Sequence, residues 1–301
     1  MDILSSFLTG LPATLEQGLI YAVLALGIMI TYTILDFPDL TVDGSFPLGG
    51  VVTISLLLEG WHPLLALLAA ALAGALAGLA TGLIHVKMKV RDLFSGIIVM
   101  TALYSINLRI ASGSALLNVR GTATTLFRNN PVANALPKEA ANLILLVVIV
   151  LALKFLLDWF FTTRSGYLLR AVGDNDRVVT ALARDKGNVK IAGLVIANSL
   201  VALSGAVFSQ HLRMFEVGMG AGTLVLGLAS VIIGITLFKR AQKVKQTTAV
   251  IIGSLLYKAS VSLAIACGLA PGDMKLVTAA LFLGILAMGR IKGKEKKHAG
   301  S

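Results

Sequence analysis

Long apolar runs almost free of charge, separated by short polar intervals, make up most of this 301-residue chain. The clearest cover 14–35, 63–86, 93–112, 140–161, 190–210, 222–238, 247–267 and 274–289, eight in all. Most approach the roughly 20 residues that carry a helix across about 30 Å of hydrocarbon. A helix is the form that satisfies its own backbone where no water reaches. A ninth run, SFPLGGVVTISLLL at 45–58, is too short to cross alone in regular geometry and follows DFPDLTVDG. Pro38, Gly44 and Pro47 oppose a continuous helix there, so the pattern predicts half of a broken one. The period-two alternation of a transmembrane barrel is missing. The expectation is an all-α integral membrane protein, a polytopic bundle of eight or nine spans with broken helices.

Composition agrees, with 56% apolar and 14% charged residues, far from the balance of a soluble domain. Charge then orients the bundle. With the N-terminus outside and all nine runs crossing, 18 of the 26 Lys and Arg fall on the cytoplasmic side and four outside. The asymmetry predicts an external N-terminus, a cytoplasmic C-terminus and a basic cytoplasmic tail at 291–301. It also accounts for the net charge of +11 through topology and anionic lipid, so nucleic acid is not an expected partner. MDILSSFLTG has no basic leader region, and no cleaved signal peptide is expected.

Two short echoes suggest an internal repeat. GLIYA at 18–22 returns as GLVIA at 193–197, and GSFPLGG at 44–50 as GTLVLGL at 222–228, at offsets of 175 and 178 residues. The predicted topology makes the copies inverted, an arrangement that places a solute path near the midplane in transporters. The expected layout is one transmembrane domain over 1–290. Its first repeat covers about 12–161, its second about 191–290, and a polar segment at 162–190 lies between them. The glycines of the two breaks, 41–45 and 218–223, come with polar neighbours. Thr41, Asp43, Gly44, Ser45, Glu216, Gly222 and Thr223 are therefore candidates for the path. The two breaks are expected toward opposite membrane faces, each as a gate. Lys258 lies about eleven residues into its run, near mid-membrane, where an ammonium needs a cavity or a carboxylate; Asp43 and Glu216 are the candidate partners. Gly74, Gly78 and Gly82 form a smooth stripe for a close helix contact, within one subunit or between two.

Candidate chemistry is sparse. Cys267 is the one cysteine and the four His are scattered, so no metal site is expected. No HExxH, phosphate-binding loop or nucleophile-and-base constellation occurs, which argues against an enzyme and against ATP hydrolysis on this chain.

That leaves TTRSGYLLRAVGDNDRVVTALARDKGNVK, residues 162–190, with six Lys or Arg and three Asp. Gly173 is expected to end one helix at positive φ, and Asp174, Asn175 and Asp176 to cap the next. Val178, Val179 and Leu182 share a face of this short amphipathic helix, with Arg177, Arg184 and Lys186 elsewhere. Such a helix lies on lipid headgroups or inserts into a partner's groove.

The segment resembles the cytoplasmic coupling loop of ABC-transporter permeases of the branched-chain amino-acid and ribose type, through Arg164, Gly166, Arg170, Ala171, Gly173 and Asn175. The first run and its break, with Gly44, Leu48 and Gly49, resemble the same family. The resemblance covers about 12–290 and is nearest the uncharacterised or aromatic amino-acid branch of Gram-positive bacteria. One departure is ALARDKGNVK, where the family carries A-L-G-I. The resemblance implies a homodimeric permease in a bacterial cytoplasmic membrane, a cytoplasmic ATPase carrying ATP and Mg, and an extracytoplasmic solute-binding protein. Arg164, Gly166, Arg170, Gly173, Asp174, Asn175, Val178 and Leu182 would then contact the ATPase. A stand-alone secondary transporter or channel is the rival reading, favoured by Lys258 and the broken helices but giving the polar segment no task.

Overall fold

The computed structural model describes residues 3–119, 121, 124–130, 137, 140–174, 185–239, 241, 244–269, 273, 276–280 and 283–284. The described chain is a helical bundle. In order come α1 (Ile3–Ile28), a π-helical extension of it (Met29–Ile34), α2 (Val42–Leu58), α3 (Pro63–Lys87) and α4 (Asp92–Ile110). A short strand β1 (Leu116–Asn118), α5 (Ala141–Phe160), α6 (Arg164–Asp174) and α7 (Lys186–Leu212) follow. Strand β2 (Met214–Glu216), a 3-10 turn (Val217–Gly220), α8 (Thr223–Leu237) and α9 (Gln246–Ala266) complete the sequence. Among the described residues, seven helical stretches are long and apolar enough to cross a membrane, and α2 is a shorter apolar helix. Most of the run at 274–289 lies outside the described residues.

Local signals fix several ends. Pro63 opens α3, where its missing N–H is no loss, and His62 Nδ1 accepts from Leu64 N at 3.3 Å. Asp185 Oδ1 caps α7 through Gly187 N at 2.9 Å, and Arg213 at φ 59° closes it.

Small residues set the packing. A Cβ at Gly74 or Gly78 would lie 2.3 Å or 2.2 Å from the carbonyl oxygens of Asn198 and Leu194, so the glycine stripe seats α3 directly on α7 within one subunit. A Cβ at Gly49 would lie 1.8 Å from Ala202 O, and one at Gly205 1.9 Å from Phe46 O, which locks α2 against α7. The main core cluster joins α1, its π extension, α2 and α7 through residues such as Leu24, Ile28, Phe46 and Val201.

Two ends follow. At one, the strands β1 and β2 pair antiparallel, Gln210 donates to Pro63 O at 3.1 Å and Leu57 packs in a cluster with Phe215. At the other, Phe37 meets His85, Gly187 faces Val86, and Lys245 meets Asp158. Lys87, Lys89, Arg91, Arg164 and Lys245 collect at this second, basic end.

The predicted break at 41–45 moves. Val42–Leu58 is one regular helix that contains both Gly44 and Pro47. Pro47 sits near the start of α2, where it deprives only the Asp43 carbonyl of its donor, a loss the first turns of a helix tolerate. The irregular backbone lies just upstream, between Ile34 and Thr41, with Asp36 at φ 50°. The second break is where the sequence places it, from the 3-10 turn to Gly222 at φ 89°. In both echoed pairs, α1 with α7 and α2 with α8, the helices run in opposite senses.

Candidate functional site

The two interruptions meet. Helix α8 begins inside the bundle on Gly222, which has no side chain to satisfy the free N–H groups of the first turn. Asp43, from the first turn of α2, supplies the missing acceptor. Its Oδ2 accepts from Gly222 N at 3.1 Å. Its Oδ1 accepts from Leu224 N at 2.8 Å and from Thr223 Oγ1 at 2.9 Å. A carboxylate at a helix N-terminus answers both the orphan donors and the helix dipole. One carboxylate thus ties the start of α2 to the start of α8, while the first interruption runs on from there to the basic end, where Phe37 meets His85, and the second to β2 at the strand end.

Beside this junction opens a cavity of about 670 Å³ between α1, the end of α7, β2, α8 and α9. Tyr21, Phe208 and Tyr257 give it aromatic walls, Glu216 and Thr223 polar ones. Lys258 lies on its wall, only 5% exposed. Its Nζ donates to Gln17 Oε1 at 3.3 Å and sits 4.2 Å from the centre of the Tyr21 ring. Neither Asp43 nor Glu216 pairs with it, because Asp43 is committed to α8 and Glu216 projects from β2 with high exposure.

Of the residues predicted for the path, Glu216, Gly222, Thr223 and Lys258 line this cavity. Asp43 reaches it only through the cap. Thr41, Gly44 and Ser45 do not, and belong to a buried seam between helices. Thr41 Oγ1 pairs with Thr81 Oγ1 at 2.7 Å. Ser45 Oγ donates to Asn198 Oδ1 at 2.7 Å, and Asn198 Nδ2 donates to Asp39 Oδ2 at 2.7 Å. Asp39 Oδ1 in turn accepts from Thr41 N at 2.9 Å. Gly44 is packed against Met100 and Leu103 of α4. Asp39, Asn198, Tyr21 and Tyr257 were missed in the sequence. Asn198 carried a usable signal, since an amide in an apolar run has to find partners when buried.

At the basic end α6 folds back on α5. Gly166 permits the turn: a Cβ there would lie 2.3 Å from Phe160 O. Thr163 Oγ1 caps α6 through Gly166 N at 3.3 Å, and Arg164 is its first residue. The Arg170 guanidinium stacks 4.9 Å from the centre of the Phe161 ring. Gly173 remains helical instead of turning at positive φ, a correction with a steric cause: a Cβ there would lie 1.7 Å from Ile34 O, at the end of the π segment. Asp174 ends the described part of α6, and Asn175, Val178 and Leu182 lie outside the described residues. Nearby, Asp158 accepts from Lys154 Nζ at 2.8 Å, Lys245 Nζ at 3.2 Å and Thr247 Oγ1 at 2.6 Å, pinning α5 to α9. Among the described residues no cluster of His, Cys, Asp and Glu could hold a metal ion.

A bundle with an interrupted pair of helices, an internal cavity and a basic end is what a solute permease requires, and the chain matches one family over most of its length. Residues 11–286 fit the family described as "Branched-chain amino acid transport system / permease component". The chain belongs to this family. The permease is 43% identical over 290 residues to a "Tyrosine transport system permease protein" of Clostridioides difficile, covering 96% of this chain and 95% of that one. It is 31% identical over 286 residues to "Uncharacterized protein RP368" of Rickettsia prowazekii, covering 93% and 98%. No solved structure matches the permease significantly. It is a multi-pass membrane protein and the permease component of an ABC-type amino-acid transport system.

Proposed function

We propose that this permease imports an aromatic amino acid of the tyrosine type, in a bacterial cytoplasmic membrane. The strand end faces outward to receive the solute from a binding protein. A cytoplasmic ATPase grips the basic end, and two copies of the chain form the transporter. ATP and its magnesium act on the ATPase, while this chain performs no bond chemistry. The segment 162–190 then has a task that a stand-alone transporter or channel does not give it.

The observation that supports the coupling role is the seat of α6. Its Gly173 lies against the Ile34 carbonyl, and Leu35 packs on Gly193 beside Leu169 of α6. The irregular segment that starts there leads directly into α2, whose Asp43 holds the start of α8. A displacement of α6 by the ATPase is thus handed on, through packed backbone, to the junction beside the cavity. Such a chain suits the two-state element that alternating access needs.

The substrate follows from the tyrosine-system relative together with aromatic cavity walls. The test is uptake of labelled L-tyrosine into proteoliposomes holding the permease, its ATPase and its solute-binding protein. ATP-dependent accumulation is expected. Ion-driven accumulation by the permease alone, or ATP-driven accumulation of a non-aromatic solute with tyrosine ignored, refutes the proposal.

A further inference from the structure

The cavity beside Asp43 holds charged and polar groups that the fold leaves under-used. Lys258 is buried, yet its three N–H donors have one protein acceptor among the described residues, the neutral Gln17 Oε1 at 3.3 Å. No carboxylate among the described residues neutralises it. A buried cation without a counter-ion is expensive, and the face of the Tyr21 ring offsets only part of that cost. The Tyr21 hydroxyl likewise has no hydrogen-bond partner among the described residues, although the residue lines the same space. Next to these groups stand the rings of Phe208 and Tyr257, and the sulfur-bearing Met219. Glu216 puts a negative charge on the rim, and the helix end that might otherwise attract an anion is already taken by Asp43.

We infer that this cavity is a transit site for a zwitterionic aromatic amino acid, whose carboxylate completes Lys258 and whose ring packs in the open space beside Tyr257 and the contacting pair of Tyr21 and Phe208. The volume of about 670 Å³ is within the range of small-molecule sites, roughly 300–1,000 Å³. Lys258 supplies the anchor, because it is the buried positive charge on the cavity wall. Tyr21 adds a hydroxyl for the same carboxylate, its ring being already stacked on Phe46 and covered by the Lys258 ammonium. Glu216 disfavours a solute that brings a carboxylate without an ammonium, since its own charge repels a net anion at the rim. The order of chemistry is thus a deep cation, an aromatic body and an acidic rim. The inference rests on the proposed import of an aromatic amino acid and adds where, and by which groups, the permease itself holds it.

The test is equilibrium binding of labelled L-tyrosine to the permease with its ATPase in nanodiscs, without the binding protein. Unlabelled L-tyrosine, tyramine, 3-(4-hydroxyphenyl)propionate and L-leucine serve as competitors. Tyramine, which lacks the carboxylate, should compete about 10- to 100-fold more weakly than L-tyrosine, the loss of a hydrogen-bonded charge contact. Leucine and the propionate should also compete more weakly. Lys258→Met should weaken tyrosine binding by a similar factor and erase the difference between tyrosine and tyramine. Should that variant fail to assemble, the competitor series on the unaltered permease still decides. Tyramine competing as well as tyrosine, or Lys258→Met keeping the discrimination, overturns the carboxylate assignment. Equal competition by leucine overturns the aromatic one. ATP-driven uptake of tyrosine without any tyrosine bound in nanodiscs refutes the site alone, whereas failure of uptake refutes the transport reading beneath it.

Discussion

Replacing Asp43 by Ala removes one side chain and orphans two donors, the N–H groups of Gly222 and Leu224, while the Thr223 hydroxyl keeps the Gly220 carbonyl as acceptor at 3.0 Å. Loss of an N-cap costs about 1–2 kcal/mol, and contacts to a charged acceptor are individually worth roughly 1.5–3 kcal/mol. These do not add, and the cavity lets water reach the exposed Gly222, so a total of about 2–3 kcal/mol is expected. At a few degrees per kcal/mol this lowers Tm by about 4–9 °C. Hydrogen exchange is the sharper assay, because the amides of Gly222 and Leu224 lose their acceptor directly. They should exchange roughly 30- to 100-fold faster, while amides in the middle of α7 hardly change. Asp43→Asn, which keeps one oxygen acceptor and loses the charge, should fall between wild type and Ala. Thr223→Val, which removes the one hydroxyl shared between Asp43 and the Gly220 carbonyl and leaves both backbone caps, should cost about 1 kcal/mol. If Asp43→Ala melts within a degree of wild type and leaves the Gly222 and Leu224 amides protected, Asp43 does not tie the two interruptions together.

Asp at both Val178 and Leu182 should uncouple transport from ATP hydrolysis while the protein still inserts, because charge enters an apolar contact; normal transport removes the coupling role. Gly222→Leu should block uptake with the ATPase still bound, since its Cβ finds open space beside the cavity even though φ 89° strains it. Gly44→Leu should instead lower stability by pushing on Met100 and Leu103, and a stable Gly44→Leu protein with blocked uptake contradicts that placement. Cysteines at positions 5 and 301 in a Cys267→Ala background should label from opposite sides, 5 from outside; labelling from one side removes a crossing.

Much of the helical order was legible because a span announces itself by length and apolarity, as α3 and α5 do. The extent of α2 was not. Gly44 and Pro47 are breakers by local rule, but a position near the start of the helix lets one stand, while Gly44 is fixed by α4. Gly173 misled for a related reason: glycine serves positive φ or close approach, and only the neighbouring Ile34 carbonyl tells which. The site was half legible. Lys258 stood out because an ammonium is rare in an apolar run, and Glu216, Gly222 and Thr223 because they cluster at a break. The aromatic walls were hidden, since Tyr21, Phe208 and Tyr257 come from separate helices and resemble ordinary packing residues until the chain is folded. Asp43 was noticed, but its partner was misassigned: sequence puts a carboxylate near a lysine in name, and geometry gives it to a helix end.

The Asp43 cap also bears on how a solute gets out. An uncapped helix start inside a membrane is a trap for anything carrying a carboxylate, with aligned amide dipoles and little water to compete. By filling that trap with an anion of its own, the protein flattens the electrostatic well beside the cavity. What remains for a travelling carboxylate is the Lys258 ammonium with the Tyr21 hydroxyl beside it, a grip of two groups that holds a molecule briefly and lets it go. Passage needs occupancy that is favourable enough to enter and shallow enough to leave.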